Sequence, residues 1–258
     1  MAEGKAKGIE RLVWIMERLR GEEGCPWDRR QTFESMKPFL IEEAHEAVDA
    51  IERKDFAGLE EELGDLLFHI VFLCRLAEEK GLFDIWKVID RVAEKMISRH
   101  PHVFGSLKVS GPQEVEINWS KLKQREKGRS SVLEGLPKSL PALMLAFRMG
   151  KRASKVGFDW EDPSGVWEKL KEEMEELREA AEEGRKERVE EELGDFLFTA
   201  VNLSRFLGVE PEGALRGACR RFAERFRFIE EELRRRGKTP EEASLEEMDE
   251  LWERSKRG

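Results

Sequence analysis

Beginning at Leu63, the apolar positions Leu66, Leu67, Ile70, Val71 and Cys74 recur in steps of three and four, and the spacing returns in Leu193, Phe196, Leu197, Ala200 and Val201. That period belongs to one face of an α-helix, so each stretch predicts an amphipathic helix with one buried stripe. Alternation of apolar and polar residues, the mark of a half-buried strand, is rare. Glu, Lys, Arg and Leu dominate, with three Thr and no Tyr in the whole chain, a bias toward helix formers. The pattern predicts an all-α chain. In the first half, helices are expected over about 8–20, 34–53, 56–79 and 84–99, with a further short helix over 115–126. The second half should mirror this plan.

The polar positions carry a second regularity. Glu42-Glu43-Ala44-His45-Glu46 precedes Glu60-Glu61-Glu62-Leu63-Gly64-Asp65, and Glu172-Glu173-Met174-Glu175-Glu176 precedes Glu190-Glu191-Glu192-Leu193-Gly194-Asp195, all at one offset of 130 residues. The segments between the acidic rows differ in identity but not in length, so the spacing itself is what repeats. Gly, Pro and Ser cluster between Gly105 and Pro141, marking a connection. Two tandem helical-bundle domains arising from an internal duplication are therefore expected, at 1–127 and 128–258, each near the usual domain size.

With 40% hydrophobic residues the chain can build a core, yet its apolar runs fall short of a membrane span. No basic, apolar leader opens it, so a cytoplasmic location is expected. The three cysteines, Cys25, Cys74 and Cys219, are odd in number and far apart, which argues against a disulfide framework and a zinc site. A net charge of -9 speaks against direct nucleic-acid binding, which needs a basic stripe. It leaves room for an anionic substrate bound through metal ions.

Residues three apart on a helix share a face, so Glu43 and Glu46 form one carboxylate pair and Glu62 and Asp65 another, as do Glu173 with Glu176 and Glu192 with Asp195. Glu62 and Asp65 border the apolar stripe of their helix. Two such helices packed antiparallel bring four carboxylates together, and like charges so close raise one another's pKa values. A divalent cation resolves the conflict; hard oxygen ligands without Cys favour Mg²⁺, with Mn²⁺ as substitute. An isolated Glu-Glu-x-x-Glu in so acidic a chain is ordinarily a solvated helix face, but four carboxylates in register twice are harder to attribute to chance. Gly64 and Gly194 repeat in mid-helix, where Gly costs about 1 kcal/mol relative to Ala. They suggest close backbone approach beside each site.

Glu42-x-x-His45, with His69 one turn past Asp65, also matches the Glu-x-x-His element of di-iron carboxylate bundles. In the second copy Glu175 and Thr199 replace these histidines while all four carboxylates persist, which favours the hard-metal site. A non-catalytic helical interaction protein, its acidic rows merely solvated, is the other alternative. Arg91-x-x-x-Lys95 returns as Arg221-x-x-x-Arg225, and Trp119-x-x-x-Lys123 as Trp252-x-x-x-Lys256. Basic residues one turn apart can hold phosphates and a Trp can stack a base; equally, these can be surface charges and core anchors.

The doubled Glu-Glu-x-x-Glu and Glu-x-x-Asp motif resembles that of the MazG-type nucleoside triphosphate pyrophosphohydrolases, of the all-α NTP pyrophosphatase superfamily. So do Gly24-Cys25-Pro26-Trp27-Asp28 with Gln31-Thr32-Phe33, Arg99-His100-Pro101-His102-Val103-Phe104, the segment from Leu136 to Leu143, and Val156-Gly157-Phe158-Asp159-Trp160. The resemblance implies two tandem MazG-like helical bundles and Mg²⁺-dependent hydrolysis of NTP or dNTP between the α and β phosphates, giving NMP and pyrophosphate. Metal would be held by Glu43, Glu46, Glu62 and Asp65, or by Glu173, Glu176, Glu192 and Asp195. Glu42, Glu61, Glu172 or Glu191 would orient or deprotonate water. Lys169, Arg188, Arg221, Arg225 and Trp252 are the implied nucleotide contacts of the second domain, and Arg91, Lys95, Arg99, Trp119 and Lys123 the candidates in the first. A homodimer, broad base specificity and a role in nucleotide-pool cleansing or stress signalling are further implications.

Overall fold

The computed structural model describes residues 7–112, 114–115, 118–119 and 131–256. Among these residues the regular structure is helical and there is no strand. The chain divides into two compact units, Met1–Lys127 and Gly128–Gly258. The short helix expected over 115–126 falls largely outside the described residues, as does Lys123.

The first unit contains α1 (Ile9–Arg20), α2 (Pro26–Arg30), α3 (Phe33–Arg53), α4 (Phe56–Glu79), α5 (Ile85–Arg99) and α6 (Pro101–Phe104). Local chemistry sets their starts. Thr32 forms a capping box with Ser35, the Asp55 carboxylate accepts from Gly58 N at 3.0 Å, and that of Asp84 accepts from Lys87 N at 2.8 Å. The short α2 and α6, each with Pro in its first turn, were not foreseen from periodicity because neither is long enough to show any. Between α3 and α4 the chain reverses through Lys54, held in the left-handed region at φ 58°. So short a connection returns α4 antiparallel along α3, and α1 packs on the other side of α4.

Met16, Met36, Val71, Phe72, Cys74, Leu76 and Ile85 form the core of this unit. Arg20 ties α1 to α4: its Nε and Nη2 donate to Glu79 at 2.9 and 2.7 Å, another nitrogen donates to the Asp28 carbonyl, and the guanidinium lies over the Phe72 ring.

In the second unit, α7 (Ala142–Ser154), α8 (Pro163–Glu183), α9 (Lys186–Phe206) and α10 (Pro211–Arg235) are followed by a 3₁₀ turn at Pro240–Glu242 and by α11 (Leu245–Ser255). Helices α8 and α9 repeat the hairpin of α3 and α4, and Gly184, at φ 68°, stands at the register of Lys54. The mirror is incomplete. Where the first unit has α2, residues 155–161 form a turn and extended chain. A second small core joins α10 to α11 through Ile229, Leu233, Leu251, Met248 and Trp252.

The stripes of α4 and α9 are buried over only part of their length. Val71, Phe72 and Cys74 are inside, but Leu63 and Ile70 remain 53% and 41% exposed, and Leu193 and Leu197 repeat this at 44% and 45%. The expectation of one continuous buried stripe is corrected accordingly: helices of the same unit cover the C-terminal part of each stripe and leave the N-terminal part open. No helix of the described residues is long and apolar enough to cross a membrane.

Candidate active site

In the first unit the α3–α4 hairpin brings Glu43, Glu62 and Asp65 together, with one carboxylate oxygen from each inside a mutual distance of 4.8 Å. Glu46 is exposed and outside this set, yet its charge reaches it. The Glu62 carboxyl is held above the usual carboxylate range, first by burial and then by the charges of Glu46, Glu43, Glu61 and Asp65. His69 Nε2 sits 3.4 Å from Glu43 Oε1, its ring stacked on Phe39 and edge-on to Phe68. His45 points its register elsewhere: it is exposed and takes no part in the carboxylate set.

In the second unit the set is Glu173, Glu176 and Glu192, again with oxygens within 4.8 Å. Here Asp195 is exposed and outside it. Over the two copies, each of the four register positions contributes to at least one set. The counter-charge differs. Lys169 Nζ bridges Glu172 Oε1 at 2.8 Å and Glu173 Oε1 at 3.0 Å, and these two partners push its pKa further up. Arg188 Nε lies 3.5 Å from Glu192 Oε1 while its Nη1 holds Glu183 at 2.8 Å. Burial, followed by the charges of Glu173, Glu192 and Glu172, raises the Glu176 carboxyl against the opposing pull of Lys169. At the registers of Lys169 and Arg188 the first unit has Phe39 and Gly58. Among the described residues no Lys or Arg pairs with Glu43, Glu62 or Asp65.

The remaining candidates are dispersed. Glu42, Glu61 and Glu191 are exposed, as is Glu172, which holds Lys169. Arg91 and Lys95 are exposed on α5; Arg99 is buried with its guanidinium 5.2 Å from the Trp119 ring. Arg221 is exposed, and the Arg225 guanidinium lies 5.4 Å from the ring of Trp252, which packs into the α10–α11 core and against Phe222. Among the described residues neither arginine pairs with the carboxylate set. Close backbone approach at Gly64 and Gly194 is not found within the chain: an added Cβ would meet nothing within 4 Å at either.

One feature escaped the sequence. A cleft of about 690 Å³ opens in the second unit, walled by Phe158, Trp160, Phe198 and Asn202 and bordered by the Arg205–Asp159 ion pair. The available signal was Asn202, which stands in a helical stripe at the register of Phe72.

Both sets are fitted to a hard divalent cation. All donors are carboxylate oxygens, no Cys is among them, and the like charges already raise a carboxyl in each.

Comparison with known proteins bears on the same residues. The family described as the MazG nucleotide pyrophosphohydrolase domain matches residues 31–104 and 162–227, one segment in each unit. The chain is 49% identical over 98% of its length to a Thermotoga maritima protein named nucleoside triphosphate pyrophosphohydrolase/pyrophosphatase MazG, covering 98% of that protein. It is 43% identical over 96% of its length to the nucleoside triphosphate pyrophosphohydrolase of Escherichia coli K12, covering 97% of it. A solved structure of a mazG-related protein from Thermotoga maritima matches 45% of the chain and 98% of its own at 32% identity, with a TM-score of 0.39.

Proposed function

The chain belongs to the MazG nucleotide pyrophosphohydrolase family, and on that premise we propose that it is a nucleoside triphosphate pyrophosphohydrolase whose Mg²⁺-dependent reaction breaks the bond between the α and β phosphates. The observation that carries the reading is the double convergence of carboxylates, Glu43, Glu62 and Asp65 in one unit and Glu173, Glu176 and Glu192 in the other.

Glu43, Glu46, Glu62 and Asp65 would hold the metal in the first unit, and Glu173, Glu176, Glu192 and Asp195 in the second. Bound there, Mg²⁺ supplies neutralisation of the triphosphate, polarisation of the attacked phosphorus and a water of lowered pKa. An exposed carboxylate beside each set, Glu42 or Glu61 and their counterparts Glu172 or Glu191, orients that water and takes its proton. The water oxygen bonds to the α phosphorus, the bridging oxygen leaves with the β phosphate, and NMP and pyrophosphate result. Lys169 and Arg188, already among the second set, are placed to exchange carboxylate partners for phosphate oxygens. Arg221, Arg225 and Trp252 in the second unit, and Arg91, Lys95, Arg99, Trp119 and Lys123 in the first, remain the proposed nucleotide contacts.

A homodimer is supported by the exposed apolar positions Leu63, Leu67 and Ile70 on α4 and Leu193 and Leu197 on α9. Gly64 and Gly194 lie beside these residues with open space above them, room for a second chain to approach. Broad base specificity, a cytoplasmic location and a part in nucleotide-pool cleansing or stress signalling complete the proposal.

The test is product analysis. Wild-type protein with Mg²⁺ should release pyrophosphate and NMP in equal amounts from ATP, GTP, CTP and UTP, and a chelator should stop it. Orthophosphate as the product, or release indifferent to the chelator, would sink the proposal.

A further inference from the structure

We propose that the cleft of the second unit receives the base of the nucleotide whose phosphates lie at Glu173, Glu176 and Glu192, with the Asn202 amide reading the edge of the ring. This assignment rests on the pyrophosphohydrolase reading and adds a base-binding subsite to it.

Position comes first. Asp195, Phe198, Asn202 and Arg205 stand at steps of three, four and three along α9, so they share one face of the helix. Asn202 lies seven residues past Asp195, about 10 Å along the axis. The cleft therefore opens on the same face as Asp195, one to two turns beyond the carboxylates, where the nucleoside end of a bound triphosphate can extend.

Its chemistry suits a flat, neutral ring. Phe158, Trp160 and Phe198 offer aromatic surface for stacking, and about 690 Å³ falls within the range of small-molecule sites. Arg205 would favour an anion, but Asp159 engages its guanidinium, with Nη1 donating to Oδ2 at 2.8 Å and Nη2 to Oδ1. Arg205 Nε is buried and without a partner, a donor left facing no acceptor of the protein. Asn202 is 5% exposed, and its amide carries both donors and an acceptor, so it can meet the edges of different bases.

The duplicated first unit shows how specific the opening is. At the register of Asn202 it has Phe72, fully buried in the core with the Arg20 guanidinium 5.2 Å from its ring. A side chain that fills the core in one copy is exchanged in the other for a small amide at a cleft wall. Gly150 completes that wall: a Cβ there would fall 2.4 Å from Asn202 Oδ1.

The experiment compares the full chain with Asn202→Ala and Asn202→Phe. Pyrophosphate release from ATP, GTP, CTP and UTP is measured beside circular dichroism and sedimentation, and quenching of tryptophan fluorescence by adenosine, which has no phosphate, is followed with Trp160→Phe as control. Asn202→Ala should alter the ratios of kcat/KM among the four bases by at least about fivefold, the weight of one net hydrogen bond. Asn202→Phe should raise KM for all four and abolish the adenosine quench that Trp160→Phe also removes. Unchanged ratios with an unchanged quench overturn the assignment. So does an Asn202→Phe protein that binds nucleotides normally but loses its oligomeric state, since the cleft would then belong to a second copy. If wild type releases no pyrophosphate while adenosine still quenches and Asn202→Phe abolishes the quench, the reaction fails and the ring-binding cleft stands.

Discussion

Glu62 and Glu176 are the residues at which the electrostatics of the site become measurable. A carboxyl whose folded pKa is raised costs stability once ionised, so the metal-free fold weakens as pH rises from the ordinary carboxylate value through the raised one. A divalent cation binds the ionised form and offsets that loss. The rise in Tm on adding Mg²⁺ should therefore be larger at neutral than at weakly acid pH, and Glu62→Gln should raise the metal-free Tm while shrinking the response. A pH-independent Mg²⁺ shift in thermal melts would contradict this. At this scale the acidic rows were legible because the spacing of three fixes which carboxylates share a face. Which three of the four converge was not, since that depends on side-chain torsions. Nor was the asymmetry of counter-charge, although Lys169 and Arg188 stand at the registers of Phe39 and Gly58. A residue's charge is written in the sequence, but its partner is not.

Each carboxylate set is built by one hairpin, and the turns of the two hairpins share a backbone conformation with different side chains. Lys54 at φ 58° bears the strain of a Cβ in the left-handed region, and Gly184 at φ 68° bears none. Lys54→Gly should stabilise the protein by about 0.5–1 kcal/mol and Gly184→Ala should destabilise it by about 1 kcal/mol, both read from denaturant melts. Opposite signs at one register are expected because duplication kept the turn while the residue changed. The long helices were legible because their periodicity runs over five or six turns with Thr32, Asp55 and Asp84 as caps. Helices α2 and α6 were invisible to the same method. The apolar stripes of α4 and α9 were read correctly as stripes, but periodicity cannot say what covers them, and in part nothing within the unit does.

For the molecule, those uncovered stripes predict association. Leu67→Glu combined with Leu197→Glu should convert a dimer to a monomer in sedimentation without loss of helix content, and a wild type that sediments as a monomer would refute the proposed homodimer. The duplication also leaves two carboxylate sets in one chain, and their separate contributions can be read directly. The decisive measurement is Mg²⁺-dependent pyrophosphate release from a panel of NTPs by wild type, Asp65→Ala, Asp195→Ala and the double variant. Pyrophosphate from the wild type, and a loss of more than about a hundredfold in a folded double variant, is the predicted result, with the single variants assigning turnover to one unit or to both. Pyrophosphate release that survives in the double variant, or orthophosphate in its place, would contradict the account.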